Sequence, residues 1–365
     1  MNYNWSWAGK RALVTGGTGF IGQHIVKKLA ERGAEVIVMT RRPPFANHTI
    51  DENLLGQVEF VLGSVTDVDF MKRIVRQYEI EYIFHLAAEA IVGDVIKRPW
   101  DAYHTNVMGT VAVLEAARAC TDLVRSVVCA SSDKAYGDHR SNLPYREGDA
   151  LRGLHYYDAS KAAGDLVAQA YSHVDDLPIR VTRCSNIFGP ADLHFSRLIP
   201  GTIKRLFLES RACVRKSQEH VYREYTYVDD VAEAYLLLAE STRPLEPGLS
   251  AEEAYDQVAY NIGSGEVRTA EQVVRIIMRL IGRDYTEIEL KDGSVGPELP
   301  SQYLATQKFR LEFPQWQPQS FEEGLKETIA WYQAFFESKR MPTTILREEK
   351  PATVIAEMAG TRNGA

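Results

Sequence analysis

Short apolar runs alternate with amphipathic stretches through the first half of the chain. Residues 11–14 (RALV) form a brief hydrophobic run of the kind that suits a strand buried on both faces. Residues 20–32 then place Phe20, Ile21, Ile25, Val26 and Leu29 at helical spacing, with Gly33 positioned as a C-cap. The same reading predicts strands at 35–39, 58–62, 82–86, 125–130 and 179–183, and helices at 67–78, 101–119 and 156–172. This βα rhythm implies an α/β protein with a Rossmann-type doubly wound parallel sheet and ligands at the carboxyl ends of its strands. After Asn186 the rhythm breaks, with Gly189-Pro190, Pro200-Gly201 and residues 242–250 punctuating less regular structure. We expect residues 1–185 to form the dinucleotide-binding domain, joined by a returning segment at 226–262 that includes a helix over 228–239. Residues 186–225 and 263–337, with amphipathic helices at 269–281 and 321–336, are expected to form a smaller C-terminal substrate-binding lobe. Residues 338–365 are charged and weakly periodic, as in a mobile tail.

Composition narrows the function classes. The chain has 365 residues, 45% hydrophobic and 25% charged, with net charge −7. That balance gives no global electrostatic case for nucleic acid or an anionic membrane as partner. No apolar run is long enough to span a bilayer, and residues 1–7 do not resemble a signal peptide. Cys120, Cys129, Cys184 and Cys213 show no CxxC or CxxH pairing, which argues against a metal site or a disulfide framework and fits a reducing cytoplasm.

Thr15-Gly16-Gly17-Thr18-Gly19-Phe20-Ile21-Gly22 joins the first strand to the first helix. Glycines allow a tight turn and close approach to a pyrophosphate, and the helix start offers free N–H groups and a positive dipole. Strand, turn and helix is the context a dinucleotide motif requires. Arg41 and Arg42 follow the second strand, where an acidic residue commonly holds the adenosine ribose. Arginines there contact a 2′-phosphate and favour NADP, whereas a solvated basic turn accepts NAD; the two readings stand level.

The candidate chemistry lies in Ser131-Ser132-Asp133-Lys134-Ala135-Tyr136-Gly137 and in Tyr157-x-x-x-Lys161. Tyr157 is expected to remove the proton of an alcohol that is being oxidised. A free phenol titrates near pH ~10, so it needs the Lys161 ammonium, one helical turn away, and an oxidised nicotinamide to ionise. Ser132 would hydrogen-bond the reacting oxygen, or simply cap a turn. Once an alcohol has become a ketone, the proton on the neighbouring carbon is acidic. Lys134 would take it and Asp133 would protonate a leaving hydroxyl. The alternative for this pair is a salt bridge that supports the loop.

These motifs, with His85-Leu86-Ala87-Ala88, Thr105-Asn106-Val107-x-Gly109-Thr110 and Arg180-x-x-Arg183-x-x-Asn186-x-x-Gly189-Pro190 in the same order, resemble the extended short-chain dehydrogenase/reductase family. This is the NAD-dependent epimerase/dehydratase group. The Asp-Lys pair is similar to that of CDP-glucose 4,6-dehydratases, where 4-epimerases carry SSATVYG. Asn186-Ile187-Phe188 and Arg223-Glu224-Tyr225 look more like general epimerases and decarboxylases, and Ser64 stands where many relatives place an Asp near adenine.

The resemblance implies a nucleotide-sugar 4,6-dehydratase with tightly bound NAD(P), acting through oxidation at carbon 4, loss of water across carbons 5 and 6, and hydride return. The alternative is a 4-epimerase or decarboxylase using the same tyrosine. It also implies cofactor contacts from Gly16, Gly19, Phe20, Ile21, Gly22, Leu86, Ala87, Ala88, Asn106, Tyr157 and Lys161. His85 is expected to pack near the cofactor, and Asn106 to fix the catalytic loop. Asn186, Arg197 and Arg223 are the candidates for the nucleotide diphosphate and base, arginine being suited to phosphate by its fork of donors. A homodimer through the helices at 101–119 and 156–172 is implied as well.

Overall fold

A computed structural model describes residues 5–42, 56–138, 144–209, 211–216, 221–243, 249–250, 253, 257–283, 287–292 and 301–338. Its first half follows the apolar runs closely: β1 (Arg11–Thr15), α1 (Phe20–Glu31), β2 (Glu35–Thr40), β3 (Val58–Leu62), α2 (Val68–Gln77) and β4 (Tyr82–His85). Gly33 lies just past α1 at φ +80°, and the N–H of Ala34 donates to Leu29 O at 3.0 Å, closing the helix as the sequence suggests. Two short helices, α3 (Val92–Lys97) and α4 (Pro99–Tyr103), precede α5 (Gly109–Arg118). The single helix expected over 101–119 is broken by a π-helical turn at His104–Met108. Such turns often mark functional positions, and this one carries Asn106.

β5 (Ser126–Ala130), α6 (Tyr156–Val174) and β6 (Ile179–Cys184) complete the rhythm. With β10 (Ala259–Ile262) they form a seven-stranded sheet in the order β10-β6-β5-β4-β1-β2-β3, and every pairing in it is parallel. Alternation along β1 sends Ala12 and Val14 into one layer and Leu13 into the other, so both faces are buried. The strand order reverses between β1 and β4, where Thr15 and His85 stand side by side at the carboxyl ends. A doubly wound sheet opens its ligand crevice at such a point.

The second half builds a smaller unit. β7 (Asn186–Phe188), β9 (Tyr222–Tyr227) and β11 (Val267–Thr269) make a three-stranded sheet, and β8 (Ala212–Arg215) pairs with β12 (Ile288–Lys291). Helices α7 (Leu198–Leu208), α9 (Ala270–Ile281) and α11 (Phe321–Glu337) share one apolar cluster with these strands. α8 (Val228–Ser241) returns to the large sheet through Val231, Tyr235 and Leu238.

One expectation needs correction. Residues 307–316, assigned to the lobe from sequence, include α10 (Gln307–Glu312), and Phe309, Phe313 and Trp316 join the core of the large sheet. Phe309 packs edge-on to Tyr260 of β10, so burying aromatic area decides where this segment sits. The tail beyond Ser338 lies outside the described residues. No described helix is long and apolar enough to cross a membrane.

Candidate active site

The β1–α1 loop is packed backbone to backbone. Gly16 has φ +70°, and a Cβ there would come 2.7 Å from the Ala87 nitrogen. A Cβ on Gly22 would lie 2.2 Å from Gly16 O, so both positions admit only glycine. Gly19 caps α1 with no side-chain hydrogen bond and no acidic residue in the first turn. The first-turn N–H groups of Phe20, Ile21 and Gly22 therefore keep their unopposed dipole, a cradle that fits a pyrophosphate. Leu86, Ala87 and Ala88 run past the same loop, with Leu86 N donating to Thr15 O at 3.1 Å and Ala87 N to Thr15 Oγ1 at 3.3 Å. At the tip of β2 both arginines are exposed, and Arg41 pairs with Glu89 at 3.1 Å.

His85 is a strut. Thr110 donates its only hydroxyl proton to Asn106 O at 2.8 Å, so its oxygen accepts from His85 Nε2 at 3.1 Å. Nδ1 is then free to accept from the Thr15 hydroxyl at 2.8 Å. Burial lowers the His85 pKa to about 3, consistent with this neutral tautomer. Asn106 was expected to fix the catalytic loop, but its partners lie elsewhere. Its Oδ1 accepts from Glu89 N at 2.8 Å, and its Nδ2 donates to Glu89 O at 3.1 Å and Ser160 Oγ at 2.9 Å. It joins the segment after β4 to the helix that carries Tyr157 and Lys161.

Ser132 caps a 3-10 turn, Asp133–Tyr136, by accepting from Lys134 N at 3.2 Å. Burial pushes the Tyr157 pKa up to about 12, opposed by the nearby Ser132 hydroxyl and by the charge of Arg197. Lys161 is buried, donates to Ala130 O, and has its pKa lowered by burial to about 8. Asp133 is only 3% exposed. Its Oδ1 accepts from Ser132 Oγ at 3.1 Å, and its Oδ2 is buried without a partner among the described residues. Lys134 donates to Gln302 Oε1.

The sequence profile of the NAD dependent epimerase/dehydratase family matches residues 12–263. The chain belongs to this family. Its relatives include the CDP-glucose 4,6-dehydratase of Salmonella typhimurium, 27% identical over 356 residues that cover 94% of this chain and 96% of the relative. Among solved structures, a dTDP-glucose 4,6-dehydratase from Streptomyces venezuelae with NAD bound matches with TM-score 0.74 at 30% identity, covering 88% of this chain and 97% of that one. The UDP-glucose 4-epimerase of Thermotoga maritima, solved with UDP-glucose, matches with TM-score 0.77 at 27% identity, covering 89% and 99%.

The three candidate substrate residues of this family member sit differently. Arg197 precedes α7, pairs with Asp192 at 3.0 Å and lies 5.9 Å from the Phe20 ring of α1. Asn186 donates to Glu224 O at 3.1 Å and ties β7 to β9. Arg223 donates to Tyr222 O at 2.9 Å, and alternation along β9 puts it on the face opposite Glu224.

Three residues beside the Asp133–Tyr136 turn were not singled out from sequence. Glu224 is buried, accepts from Gly265 N at 2.7 Å and Leu304 N at 2.9 Å, and has its pKa raised by burial to about 6, with a contribution from Asp133. Asp158 is buried next to Tyr157, and burial raises its pKa while the charge of Lys134 lowers it. Gln302 is the third. Alternation within Arg223-Glu224-Tyr225 was a usable signal for Glu224; none pointed to Gln302.

Beneath the turn, Arg183 of β6 binds Asp165 of α6 through Nε at 2.8 Å and Nη2 at 2.9 Å. Its Nη1 donates to Tyr136 OH at 2.9 Å. Removing one partner of such a pair leaves a buried charge alone. Asp165→Ala is therefore expected to destabilise the fold by about 3–5 kcal/mol in urea unfolding. A loss below about 1 kcal/mol would show that the pair does not hold this floor.

Proposed function

We propose that this chain is a nucleotide-sugar 4,6-dehydratase, converting an NDP-hexose into an NDP-4-keto-6-deoxyhexose. The observation that carries the reading is the meeting of Ser132, Asp133 and Lys134, on one short turn, with Tyr157 at the start of α6. A carboxyl group and an amine stand by the phenol that takes the sugar's hydroxyl proton, and simple epimerisation has no use for them.

Tyr157 takes the proton of the sugar 4-hydroxyl while the Ser132 hydroxyl hydrogen-bonds the same oxygen. A bound oxidised nicotinamide supplies the hydride acceptor for carbon 4, the donor for carbon 6 and a positive charge that favours the phenolate. Lys134 removes the proton from carbon 5, which the new ketone has made acidic. Asp133, whose Oδ2 has no protein partner among the described residues, gives a proton to the departing 6-hydroxyl. Phe20, Ile21 and Gly22 hold the cofactor pyrophosphate through backbone N–H groups, with Leu86, Ala87 and Ala88 along its length. Arg197, Asn186 and Arg223 take the sugar nucleotide.

Incubation with CDP-glucose, dTDP-glucose, GDP-mannose and UDP-N-acetylglucosamine tests the assignment, with loss of the mass of one water expected from the true substrate. The likeness to a UDP-glucose 4-epimerase favours a second reading, which unchanged mass and a new stereoisomer would establish. Loss of carbon dioxide from a uronic acid would mark a decarboxylase.

The choice between NAD and NADP rests on Arg42, because Arg41 is engaged with Glu89. Arg42→Ala is expected to weaken NADP binding about tenfold in calorimetric titration while changing NAD binding less than about twofold, since only a 2′-phosphate would meet the guanidinium. Equal effects on both would remove Arg42 from the adenosine site. We also assign a cytoplasmic homodimer formed through the helices expected at 101–119 and 156–172. Trp100 (77% exposed), Met108 and Leu166 leave an apolar surface there. A monomer in sedimentation at micromolar concentration would overturn it.

A further inference from the structure

We propose that Gln302 is the positioning residue for the Lys134 amine, and that its neutral amide keeps this amine able to accept the carbon 5 proton. The proposal rests on the dehydratase reading above and deepens it.

Gln302 is 0% exposed, although it lies in a segment with little regular structure. Lys134 Nζ donates to its Oε1, while its Nε2 is buried with no partner among the described residues. Buried amide donors are seldom left unmade, because the desolvation loss is not returned. Among the described residues the side chain thus meets Lys134 through its oxygen alone.

The backbone around Gln302 is pinned from two sides. Gln302 N donates to Tyr222 O at 3.1 Å, and Leu304 N to Glu224 Oε2 at 2.9 Å. Across the other edge, Tyr145 N donates to Tyr303 O at 3.0 Å and Ala305 N to Tyr145 O at 2.8 Å. The amide is consequently held by the fold rather than by the lysine it meets.

The chemical identity of the acceptor matters. An amide oxygen accepts an N–H from an amine or an ammonium alike, whereas a carboxylate at the same place favours the ammonium and holds its proton. The other charged and titratable groups around Lys134 come from three directions. Asp133 adjoins it on the turn, Asp158 faces it from α6, and Glu224 and Arg223 flank Gln302 on β9, with Arg310 acting on Glu224. Carboxyl groups are already numerous here, so one more hydrogen-bonded directly to Nζ would shut down proton uptake. In the step itself the carbon 5–hydrogen bond breaks to the Lys134 nitrogen and its electron pair forms the carbon 5–carbon 6 double bond. The carbon 6–oxygen bond breaks with a proton from Asp133, and water leaves with no net redox change.

The test uses the full chain with its bound cofactor, on whichever of the four sugar nucleotides loses water with the wild-type protein. Gln302→Glu is expected to slow water loss at least about tenfold at neutral pH, with the acid limb of the rate profile moved up by about one unit or more. Reduced nicotinamide should still form at the wild-type rate on mixing, because carbon 4 oxidation does not use Lys134. Gln302→Asn, which keeps the amide but withdraws it by one methylene, should slow water loss without moving the limb. A Gln302→Glu enzyme with the wild-type profile, or one that slows oxidation and water loss equally, overturns the proposal and leaves the dehydratase reading standing. A wild-type chain that removes water from none of the four removes both.

Discussion

Tyr157→Phe is expected to lower turnover of the sugar nucleotide by about 10³-fold, the scale of a lost general base. Cofactor binding and stability should hardly change, since the ring remains and the hydrogen bond of one hydroxyl is worth about 1 kcal/mol. The phenol is poised but not ionised on its own: burial holds its pKa near 12. Lys161→Met probes the other half of the YxxxK pair and has a pH signature. The folded pKa of Lys161, about 8, lies below its ordinary value of 10.5, so the charged form is disfavoured by folding. Between those values the unfolded chain binds more protons, and wild-type stability rises with pH across the window. The Met variant lacks this term. It should be more stable than wild type at pH 7, by on the order of 3 kcal/mol at most, and the gap should close as pH climbs from about 8 towards 10.5. Parallel urea unfolding of both proteins measures it. A gap that widens with pH, or a Tyr157→Phe enzyme with near-normal turnover, would contradict the placement of this pair.

Combining Asp133→Asn with Lys134→Met should separate the two halves of the reaction. Water loss is expected to fall by about 10²–10⁴-fold, the range for loss of positioned acid–base groups. Carbon 4 oxidation should persist, visible as near-ultraviolet absorbance of reduced nicotinamide when substrate is mixed in, because Ser132, Tyr157 and Lys161 are untouched. The 4-keto sugar would then be released unreduced or returned to starting material. Each single variant should already show the split, and the two effects should not add, since both groups act in one elimination step. Intact water loss in the double variant would exclude the assigned roles. Equal loss of oxidation and elimination would mean that the pair only shapes the turn.

Much of this protein can be read along the chain. The parallel strands of the large sheet from β1 to β6 follow from apolar runs, because a strand covered on both faces must be hydrophobic at consecutive positions. The cofactor loop follows from glycines at places where the structure leaves no room for a Cβ. Tyr157 and Lys161 follow from helical spacing, and the 3-10 turn at Asp133–Tyr136 from its motif. Where elements are short and pair across long separations, local pattern falls silent. β7, β9 and β11 form a sheet from segments far apart in sequence, and residues 307–316 chose the large core through aromatic packing that no local window records.

The sequence by itself determined which chemical groups are present and which of them share a turn or a helix face. Only the tertiary structure decided what each group meets. It turned Asn106 toward Glu89 and Ser160, gave Lys161 to a backbone carbonyl, and brought Gln302 across 168 positions of chain to Lys134. Residue type and spacing act locally, whereas protonation and orientation are set by burial and by partners that arrive only when distant segments pack.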